Sequence, residues 1–246
     1  MDSMQVELYL TPVQLTRPAS ENRTVVIIDV LRATTSICAA LSAGARGVIP
    51  VVEPGEAGEI WTKIGSENAI LAGERNGVKI ENFNLGNSPS EFTAEAVSGK
   101  FVILTTTNGT QVFANPLKAG AVISCALVNV SAVAGRVAAE DRDLVIICSG
   151  REGNFSIEDT LCGGMLLHLL STVHKKELTL NDAASLAILL YRSNKTAIKQ
   201  TIRQGEHGRF LESIGFESDI EMAAEIDSIP IVPVMQDGRL VRADLS

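Results

Sequence analysis

The stretch from Thr24 to Ser36, which reads TVVIIDVLRATTS, carries the strongest fold signal in this chain. Its first half is a continuous apolar run that stops abruptly at Asp29, and hydroxyl residues suited to the start of a helix follow Arg32. Apolar runs without alternation are typical of strands buried on both faces of a parallel sheet. A buried strand that leads into a helix predicts an α/β protein.

The same layout recurs in three further segments, where an apolar run ends in a cluster of charged, amide or hydroxyl residues. These segments are Ala69–Ala72 with Gly73–Gly77, Lys100–Leu104 with Thr105–Thr110, and Asp143–Cys148 with Ser149–Asn154. In an open α/β sheet, ligands bind outside the carboxyl ends of the strands. We therefore predict a single crevice that gathers Asp29, Arg32, Glu74, Arg75, Asn108 and Arg151.

The chain as a whole alternates predicted strands with helical patterns. Such alternation implies right-handed crossovers and a mainly parallel sheet covered by helices on both faces. We predict a three-layer α/β/α fold with a mainly parallel, mixed central sheet, in a single domain over residues 1–246 that is helix-rich from about 156 to 226. Pro230 and Pro233 favour an edge position for the last strand. The predicted strands are Gln5–Leu10, Thr24–Val30, Val48–Val52, Ala69–Ala72, Phe101–Thr105, Ala121–Cys125, Leu144–Cys148 and Ile231–Val234.

Composition and charge limit the classes of partner. The 246 residues carry a formal net charge of −8, and aromatic residues make up 4% of them. A negative surface repels nucleic acids and anionic membranes, and few rings are present to stack on bases. Local arginines can still draw a small anion into a cleft. We expect a small anionic substrate, no nucleic-acid or membrane partner, and a homodimer that covers the sheet edges.

The cysteines and the N-terminus indicate a cellular compartment. Cys38, Cys125, Cys148 and Cys162 form no C-x-x-C pair, and most lie in apolar contexts typical of buried free thiols. The first residues lack a basic region followed by a long apolar stretch, so no secretory signal is predicted. We expect a soluble cytoplasmic protein.

Asp29 and Arg32 together predict a site for a metal ion and a phosphate group. A carboxylate can hold a hard cation such as Mg²⁺, and a guanidinium can bind phosphate oxygens through two parallel hydrogen bonds. The hydroxyls of Thr34 and Thr35 and the helix start add further donors. Capping of the helix by Asp29 and Thr34 is the structural alternative, but a cap does not require an arginine.

The segment Thr105–Thr110 follows a strand and contains an Asn-Gly pair. This pair favours a positive φ, and successive N–H groups in such a turn can form an anion-binding nest. We expect Thr107, Asn108, Gly109 and Thr110 to bind a phosphate or another oxyanion. An ordinary strand-to-helix turn remains the alternative.

Charged residues also cluster between Gly150 and Asp159. Glu158 and Asp159 lie in the first turn of a predicted helix, where acidic residues also favour the helix dipole. Arg151 stands in a glycine-flanked loop and has no evident structural role. A second wall of the crevice is predicted from Glu74, Arg75, Asn87 and Ser88. His168, His174 and His207 lack the spacing of a zinc pair and are interpreted as packing or surface residues.

Several of these motifs together closely resemble the 2-phosphosulfolactate phosphatase family. The resemblance runs from about Thr24 to Val234 and departs from the family pattern at Asn76, where glycine is usual, and at Asn84, where aspartate is usual. It implies a Mg²⁺-dependent phosphatase that converts (R)-2-phospho-3-sulfolactate to 3-sulfolactate, a step toward coenzyme M or sulfolactate. The motifs are Asp29–Thr35, Gly73–Arg75, Leu85–Pro89, Thr105–Thr110, and Gly150–Gly153 with Glu158–Cys162.

A mechanism follows as a hypothesis. Asp29 with Glu158 or Asp159 holds Mg²⁺, while Arg32, Asn108 and the 107–110 backbone hold the phosphoryl group. Arg151 neutralises developing charge, and Glu74 or Glu152 transfers a proton. Three guanidiniums, with Arg75 as the third, meet the three anionic groups of the substrate. Direct attack by water is favoured because the Asp-x-Asp-x-Thr signature of aspartyl-phosphate enzymes is missing.

Two other functions fit the same motifs. The donors can belong to a non-catalytic sensor of small phosphorylated or sulfonated acids, although a sensor gains nothing from carboxylates near an anion. The chain can also be a phosphatase for another 2-phosphorylated acid.

Overall fold

The structure of the protein, a computed structural model, describes residues 3–12, 21–114 and 119–243. All eight strands predicted from the sequence are present, β6, β7 and β8 with the predicted ends and the other five with shifted ends, and three short strands (β5, β9 and β11) were not predicted. The strands are β1 (Met4–Tyr9), β2 (Thr24–Ile28), β3 (Gly47–Val51), β4 (Ala69–Arg75), β5 (Val78–Lys79), β6 (Phe101–Thr105), β7 (Ala121–Cys125), β8 (Leu144–Cys148), β9 (Leu178–Leu180), β10 (Pro233–Gln236) and β11 (Arg239–Arg242).

Helices connect most of these strands, and several follow one another between β9 and β10. Short 3₁₀ turns lie at Pro89–Glu91 and Leu127–Asn129. In the described part of the chain, none of the helices has both the length and the apolar composition needed to cross a membrane. The helices are α1 (Ala33–Ser42), α2 (Pro54–Ile64), α3 (Ala94–Val97), α4 (Gly109–Ala114), α5 (Val130–Glu140), α6 (Ile157–Thr172), α7 (Asp182–Asn194), α8 (Ile198–Gln204), α9 (Glu206–Ser213) and α10 (Glu217–Ala223).

The strands form one mixed sheet in the order β5-β4-β6-β3-β11-β10-β7-β2-β8-β1-β9. Two parallel sets, β4-β6-β3 and β7-β2-β8-β1-β9, are joined by the antiparallel hairpin of β10 and β11. Helices cover both faces, so the predicted three-layer α/β/α fold with a mainly parallel, mixed sheet is confirmed.

The predicted edge position of the last strand is wrong. β10 lies inside the sheet, between β11 and β7. It pairs with β7 only at Val234 and Ile123, and β11 pairs with β3 only at Leu240 and Val48. Because these contacts are so brief, and because proline is tolerated at the first position of a strand, Pro233 does not disrupt the ladder.

Helix α1 packs at the centre of the molecule. Ile37 and Cys38 of this helix belong to one buried cluster with Val25 of β2, Val102 of β6 and Leu240 of β11. Side chains from both parallel sets therefore share one cluster with α1, which contacts β3 of one set and β7 of the other. On the opposite face, α5, α6 and α7 cover the set that contains β2, and α2 covers the set that contains β6. Residues at the carboxyl ends of β2 and β8 in one set, and of β4 and β6 in the other, line a common crevice.

All four cysteines lie inside this core as buried free thiols.

Candidate active site

The crevice opens where the loops after β2, β4, β6 and β8 meet, as the repeated strand-end clusters predict. Helix α9, which is distant in the sequence, closes one side of it. Most of the side chains that line the crevice are polar, so it suits a charged ligand better than an apolar one. The lining residues are Asp29, Leu31, Arg32, Glu74, Asn76, Gly77, Asn87, Thr106, Thr107, Asn108, Arg151, Glu152, His207 and Phe210.

Asp29 lies at the base of the crevice, immediately after β2. Its main chain is tied to the start of α1: the Thr34 N–H donates to the Asp29 carbonyl at 2.9 Å, and the Thr34 hydroxyl donates to the same oxygen at 2.7 Å. The Thr35 hydroxyl donates to the carbonyl of Val30 at 2.7 Å. Both threonines are fully buried and do not line the crevice, so the structure assigns them to the turn rather than to the predicted substrate contacts.

The environment of Asp29 disfavours its charge. Burial raises the pKa of this carboxyl to about 6, and the nearby carboxylates of Glu74 and Glu158 act in the same direction. His207 and a hydrogen bond from the Ala33 N–H lower the pKa, but by less. A buried carboxylate with too little positive charge around it is a position that a cation would stabilise.

Gly109 allows α4 to approach Asp29 closely. A Cβ atom at this position would lie 2.7 Å from Cβ of Ala33 and would collide with Oδ2 of Asp29. The predicted positive φ of the Asn-Gly pair is wrong, because neither Asn108 nor Gly109 adopts a left-handed conformation. Glycine is needed here for space and not for backbone freedom. Thr110, one residue on, is buried and accepts the Thr106 N–H at 3.0 Å.

Glu74 joins the loops after β4 and β6. Its carboxylate accepts the N–H groups of Thr107 and Gly77, each at 2.8 Å, and the Thr107 hydroxyl at 3.1 Å. The Thr107 amide, predicted as part of an anion nest, is therefore occupied by a protein carboxylate. Both carboxylate oxygens of Glu74 are therefore used in hydrogen bonds that connect the two loops.

Arg32 is held by a partner that the sequence analysis missed. Its guanidinium donates to Oδ2 of Asp219 at 2.8 Å and to the Gly77 carbonyl at 2.8 Å, and it lies 4.5 Å from the centroid of the Phe216 ring. Both members of the ion pair are buried, and Ser88 donates a further hydrogen bond to Asp219. Arg32 and Ser88 are thus fixed in the wall of the crevice by one carboxylate from α10.

Replacing Asp219 with alanine should destabilise the protein by about 3 to 5 kcal/mol, because the buried guanidinium of Arg32 loses its counter-charge. Urea unfolding of the two proteins measures the difference. The Asp219→Asn variant is the matched control, since it keeps the hydrogen-bonding shape, and it should lose less. A loss below about 1 kcal/mol for Asp219→Ala would show that water reaches Arg32 freely.

The other predicted wall residues divide into two groups. Arg75 points away from the crevice: its guanidinium donates to the carbonyls of Glu74 and Val52 and to the Thr105 hydroxyl. The reason is that neighbouring residues on a strand face opposite sides, so Glu74 and Arg75 cannot both reach the crevice from β4. Asn87 does line it, and its buried side-chain oxygen has no hydrogen-bond partner among the residues that the structure describes.

Asn76 and Asn84, the two departures from the family pattern, lie in different places. Asn76 lines the crevice with a φ of 52°, a left-handed conformation that asparagine tolerates better than most residues, which explains how it replaces a glycine. Asn84 lies outside the crevice, where its side-chain oxygen accepts the Leu71 N–H at 3.0 Å and extends the pairing of β4.

Arg151 is held by weaker ion pairs than Arg32, the other arginine that lines the crevice. Its side chain contacts Glu152 and Glu206 only through ion pairs of 3.5 Å, and both of these carboxylates are largely exposed. Its guanidinium lies 4.2 Å from the centroid of the Phe210 ring. The Glu152 N–H donates to the side-chain oxygen of Asn108 at 3.1 Å, which joins the loops after β6 and β8. Arg151 can therefore turn toward an anion without breaking a strong contact.

Asp159 links two strand ends instead of facing the crevice. Its carboxylate accepts the Val30 N–H at 2.8 Å and the Gly150 N–H at 3.1 Å. Burial, followed by the charges of Asp29 and Glu158, holds the pKa of Asp159 well above its usual range. Within the described ranges, no group of three His, Cys, Asp or Glu side chains is arranged to hold a metal ion. The predicted set of Asp29, Glu158 and Asp159 is therefore not assembled as a three-ligand cage.

Glu158 instead contacts His207, which the sequence analysis interpreted as a packing or surface residue. Oε1 of Glu158 lies 3.2 Å from Nδ1 of His207. His207 occupies the first turn of α9 and lines the crevice. Gly205 and Gly208 on either side permit the close packing, since a Cβ at Gly205 would lie 2.6 Å from Cγ2 of Ile157. A histidine between two glycines was the one sequence signal for this contact.

Comparisons with known proteins agree with the resemblance seen in the sequence. The family model described as 2-phosphosulpholactate phosphatase matches residues 9–238. A protein of Caldanaerobacter subterraneus subsp. tengcongensis, named probable 2-phosphosulfolactate phosphatase, is 40% identical over 89% of this chain and 90% of its own length. Proteins with the same name from Clostridium beijerinckii and Thermotoga maritima are 35% and 40% identical, covering 96% and 89% of this chain and 99% and 91% of their own.

Proposed function

The chain belongs to the 2-phosphosulpholactate phosphatase family, and from this premise we propose that it hydrolyses (R)-2-phospho-3-sulfolactate to 3-sulfolactate and phosphate. The match covers nearly the whole chain and includes every loop of the crevice, which is the observation that carries the proposal. The product would serve coenzyme M biosynthesis or another route that forms sulfolactate.

The donors of the crevice suit a small substrate with several anionic groups. Arg151 has only loose ion pairs and can bind a phosphoryl or sulfonate group. Asn108 uses its side-chain oxygen for the Glu152 N–H and so has its NH₂ group left to donate. Asn87 also lines the crevice, and its NH₂ group adds a second amide donor. Arg32 contributes positive charge that Asp219 partly offsets.

We further propose that the reaction depends on Mg²⁺, held by Asp29 together with substrate oxygens and water. Mg²⁺ usually binds one or two protein carboxylates and keeps several waters, so it needs no cage of three protein ligands. The pKa of Asp29, raised to about 6 mainly by burial and also by the nearby charges of Glu74 and Glu158, supports this assignment because a bound cation would stabilise the buried carboxylate. The ion would neutralise phosphoryl oxygens and assist attack by water.

The protein residues then have separable tasks. Asp29 holds negative charge at the base of the crevice, and Gly109 lets α4 pack closely against it. Arg151 neutralises the charge that builds on the phosphoryl group, while the amides of Asn87 and Asn108 orient its oxygens. Glu74 holds the loops after β4 and β6 in place through its hydrogen bonds. Phosphate monoesters hydrolyse so slowly without a catalyst that accelerations of up to about 10²¹-fold are needed.

The substrate assignment is tested by phosphate release from 2-phosphosulfolactate, phospholactate and phosphoglycolate, each with Mg²⁺. We expect the sulfonated acid to have a kcat/KM larger by roughly 10- to 100-fold, because a hydrogen bond to a charged group contributes about 1.5 to 3 kcal/mol. Equal rates for the three compounds would contradict recognition of the sulfonate and would favour a phosphatase for 2-phosphorylated acids in general.

A further inference from the structure

The paired side chains of Glu158 and His207 form a second functional unit beside Asp29. Glu158 is 1% exposed and belongs to α6, whereas His207 belongs to α9 and faces the crevice. The 3.2 Å contact joins Oε1 of Glu158 to Nδ1 of the imidazole. When Nδ1 carries the proton toward this carboxylate, Nε2 is the nitrogen left for a ligand. A carboxylate that orients a histidine in this way is a recurrent arrangement in acid–base catalysis.

The other acidic groups near the crevice have different tasks. Glu74 accepts two N–H groups and a hydroxyl, and Asp159 accepts two N–H groups. Glu152 lies at the rim with its side chain 61% exposed, where bulk water competes with any substrate contact. Among the crevice residues that the structure describes, His207 is the group best placed to exchange a proton inside the site.

We propose that His207 is the general acid of the reaction and that Glu158 is its positioning residue. This inference rests on the proposed phosphatase function. A water oxygen forms the new bond to phosphorus as the bond between phosphorus and the ester oxygen breaks. The ester oxygen keeps the electron pair and takes the proton from Nε2 of His207, which yields the hydroxy acid. The proton released by the attacking water passes to the phosphate product or to solvent, and the imidazole is protonated again from water.

The leaving group is the reason that such an acid is needed. The ester oxygen of a 2-phosphorylated acid departs as an alkoxide, which is a strong base, so proton donation in the transition state is expected to matter by roughly 10²- to 10⁴-fold. A 4-nitrophenolate leaving group is stable without a proton. Comparison of the two leaving groups therefore separates a general acid from a residue that only binds phosphate.

Several charges act on His207 and bear on its pH dependence. On its own helix the neighbouring charged residues are Glu206 and Arg209. The charged groups that face it from other elements across the crevice are Asp29, Arg32, Glu74, Arg151, Glu152 and Glu158. A general acid must be protonated, so the rate should fall toward high pH.

The test compares His207→Gln and Glu158→Gln with His174→Gln, a matched control that lies after α6 and outside the crevice. Phosphate release from 2-phosphosulfolactate and from 4-nitrophenyl phosphate is followed across pH. We expect His207→Gln to lose roughly 10²- to 10⁴-fold in kcat on the first compound and less than about 3-fold on the second. Glu158→Gln should show the same split to a smaller degree, and both variants should lose the fall in rate at high pH.

Equal losses on the two compounds, with the fall at high pH retained, would overturn the proposal and leave His207 as a binding residue. If the wild-type enzyme does not turn over 4-nitrophenyl phosphate, the kinetic constants of His207→Gln on the natural ester decide: a loss in kcat with KM unchanged supports a general acid, and a rise in KM with kcat unchanged overturns it. Circular dichroism of each variant identifies a protein that has not folded, and glutamine keeps a hydrogen-bonding group beside Glu158 in place of the imidazole. A wild-type protein that releases no phosphate from any 2-phosphorylated acid would instead reject the proposed function itself.

Discussion

The Asp29→Asn variant is expected to lose phosphatase activity by roughly 10³-fold or more while becoming more stable than the wild type at pH 8 without metal. The loss follows if Asp29 holds the metal ion, because such an ion contributes several kcal/mol of charge stabilisation and each 1.4 kcal/mol is about tenfold in rate. The gain in stability follows from the burial of the carboxyl, whose pKa is raised to about 6.

Asp29 should make the wild-type protein less stable as pH rises. The pKa of Asp29 in the folded protein, about 6, lies above its ordinary value of 3.8, so folding favours the protonated carboxyl. The contribution of the protonated Asp29 carboxyl to the free energy of unfolding is complete below pH 3.8 and is lost as pH rises through 6. Above that pH the buried charge costs on the order of 3 kcal/mol relative to the unfolded chain. Asparagine avoids this cost.

Urea unfolding of both proteins in the presence of a chelator, at pH 4 and pH 8, measures the effect. The advantage of Asp29→Asn should be present at pH 8 and nearly absent at pH 4. Asp237→Asn, in the exposed turn between β10 and β11, is the control and should change little at either pH. If the stability of Asp29→Asn equals that of the wild type at both values of pH, the Asp29 carboxyl is solvated. Its assignment as a buried charge at the bottom of the crevice then fails.

Arg151→Ala should reduce kcat by roughly 10³- to 10⁵-fold, the range seen for arginines that stabilise transferring phosphoryl groups. Its effect on stability should stay below about 1 kcal/mol, because the ion pairs it breaks involve exposed carboxylates. The control is Arg142→Ala, which removes an arginine paired with Glu140 far from the crevice. An Arg151→Ala enzyme with unchanged turnover would remove this residue from the site.

The strand-end clusters predicted the location of the crevice because the chemistry of an α/β sheet concentrates at the carboxyl ends of its strands. Asp29, Glu74, Asn108 and Arg151 all reach it. The direction of a side chain was harder to predict. Arg75 follows Glu74 directly and therefore faces the other side of β4, and Thr34 and Thr35 turn inward to bind main-chain carbonyls.

Asp219 and His207 could not be placed from the sequence, because their partners Arg32 and Glu158 lie far away in the chain. Both residues come from short helices after residue 200, whose packing against the crevice depends on tertiary contacts. The short strands β5, β9 and β11 were missed for a different reason, because runs of two to four residues carry no periodic signal.

Phosphate release from 2-phosphosulfolactate by the wild-type protein, with Mg²⁺ and then with a chelator, tests most directly whether the Asp29 crevice is a metal-assisted phosphatase site. The proposed function predicts steady release of phosphate with Mg²⁺ and a loss of nearly all activity with the chelator. Binding of the compound with no release of phosphate under either condition would contradict it and would make the protein a sensor of small anions.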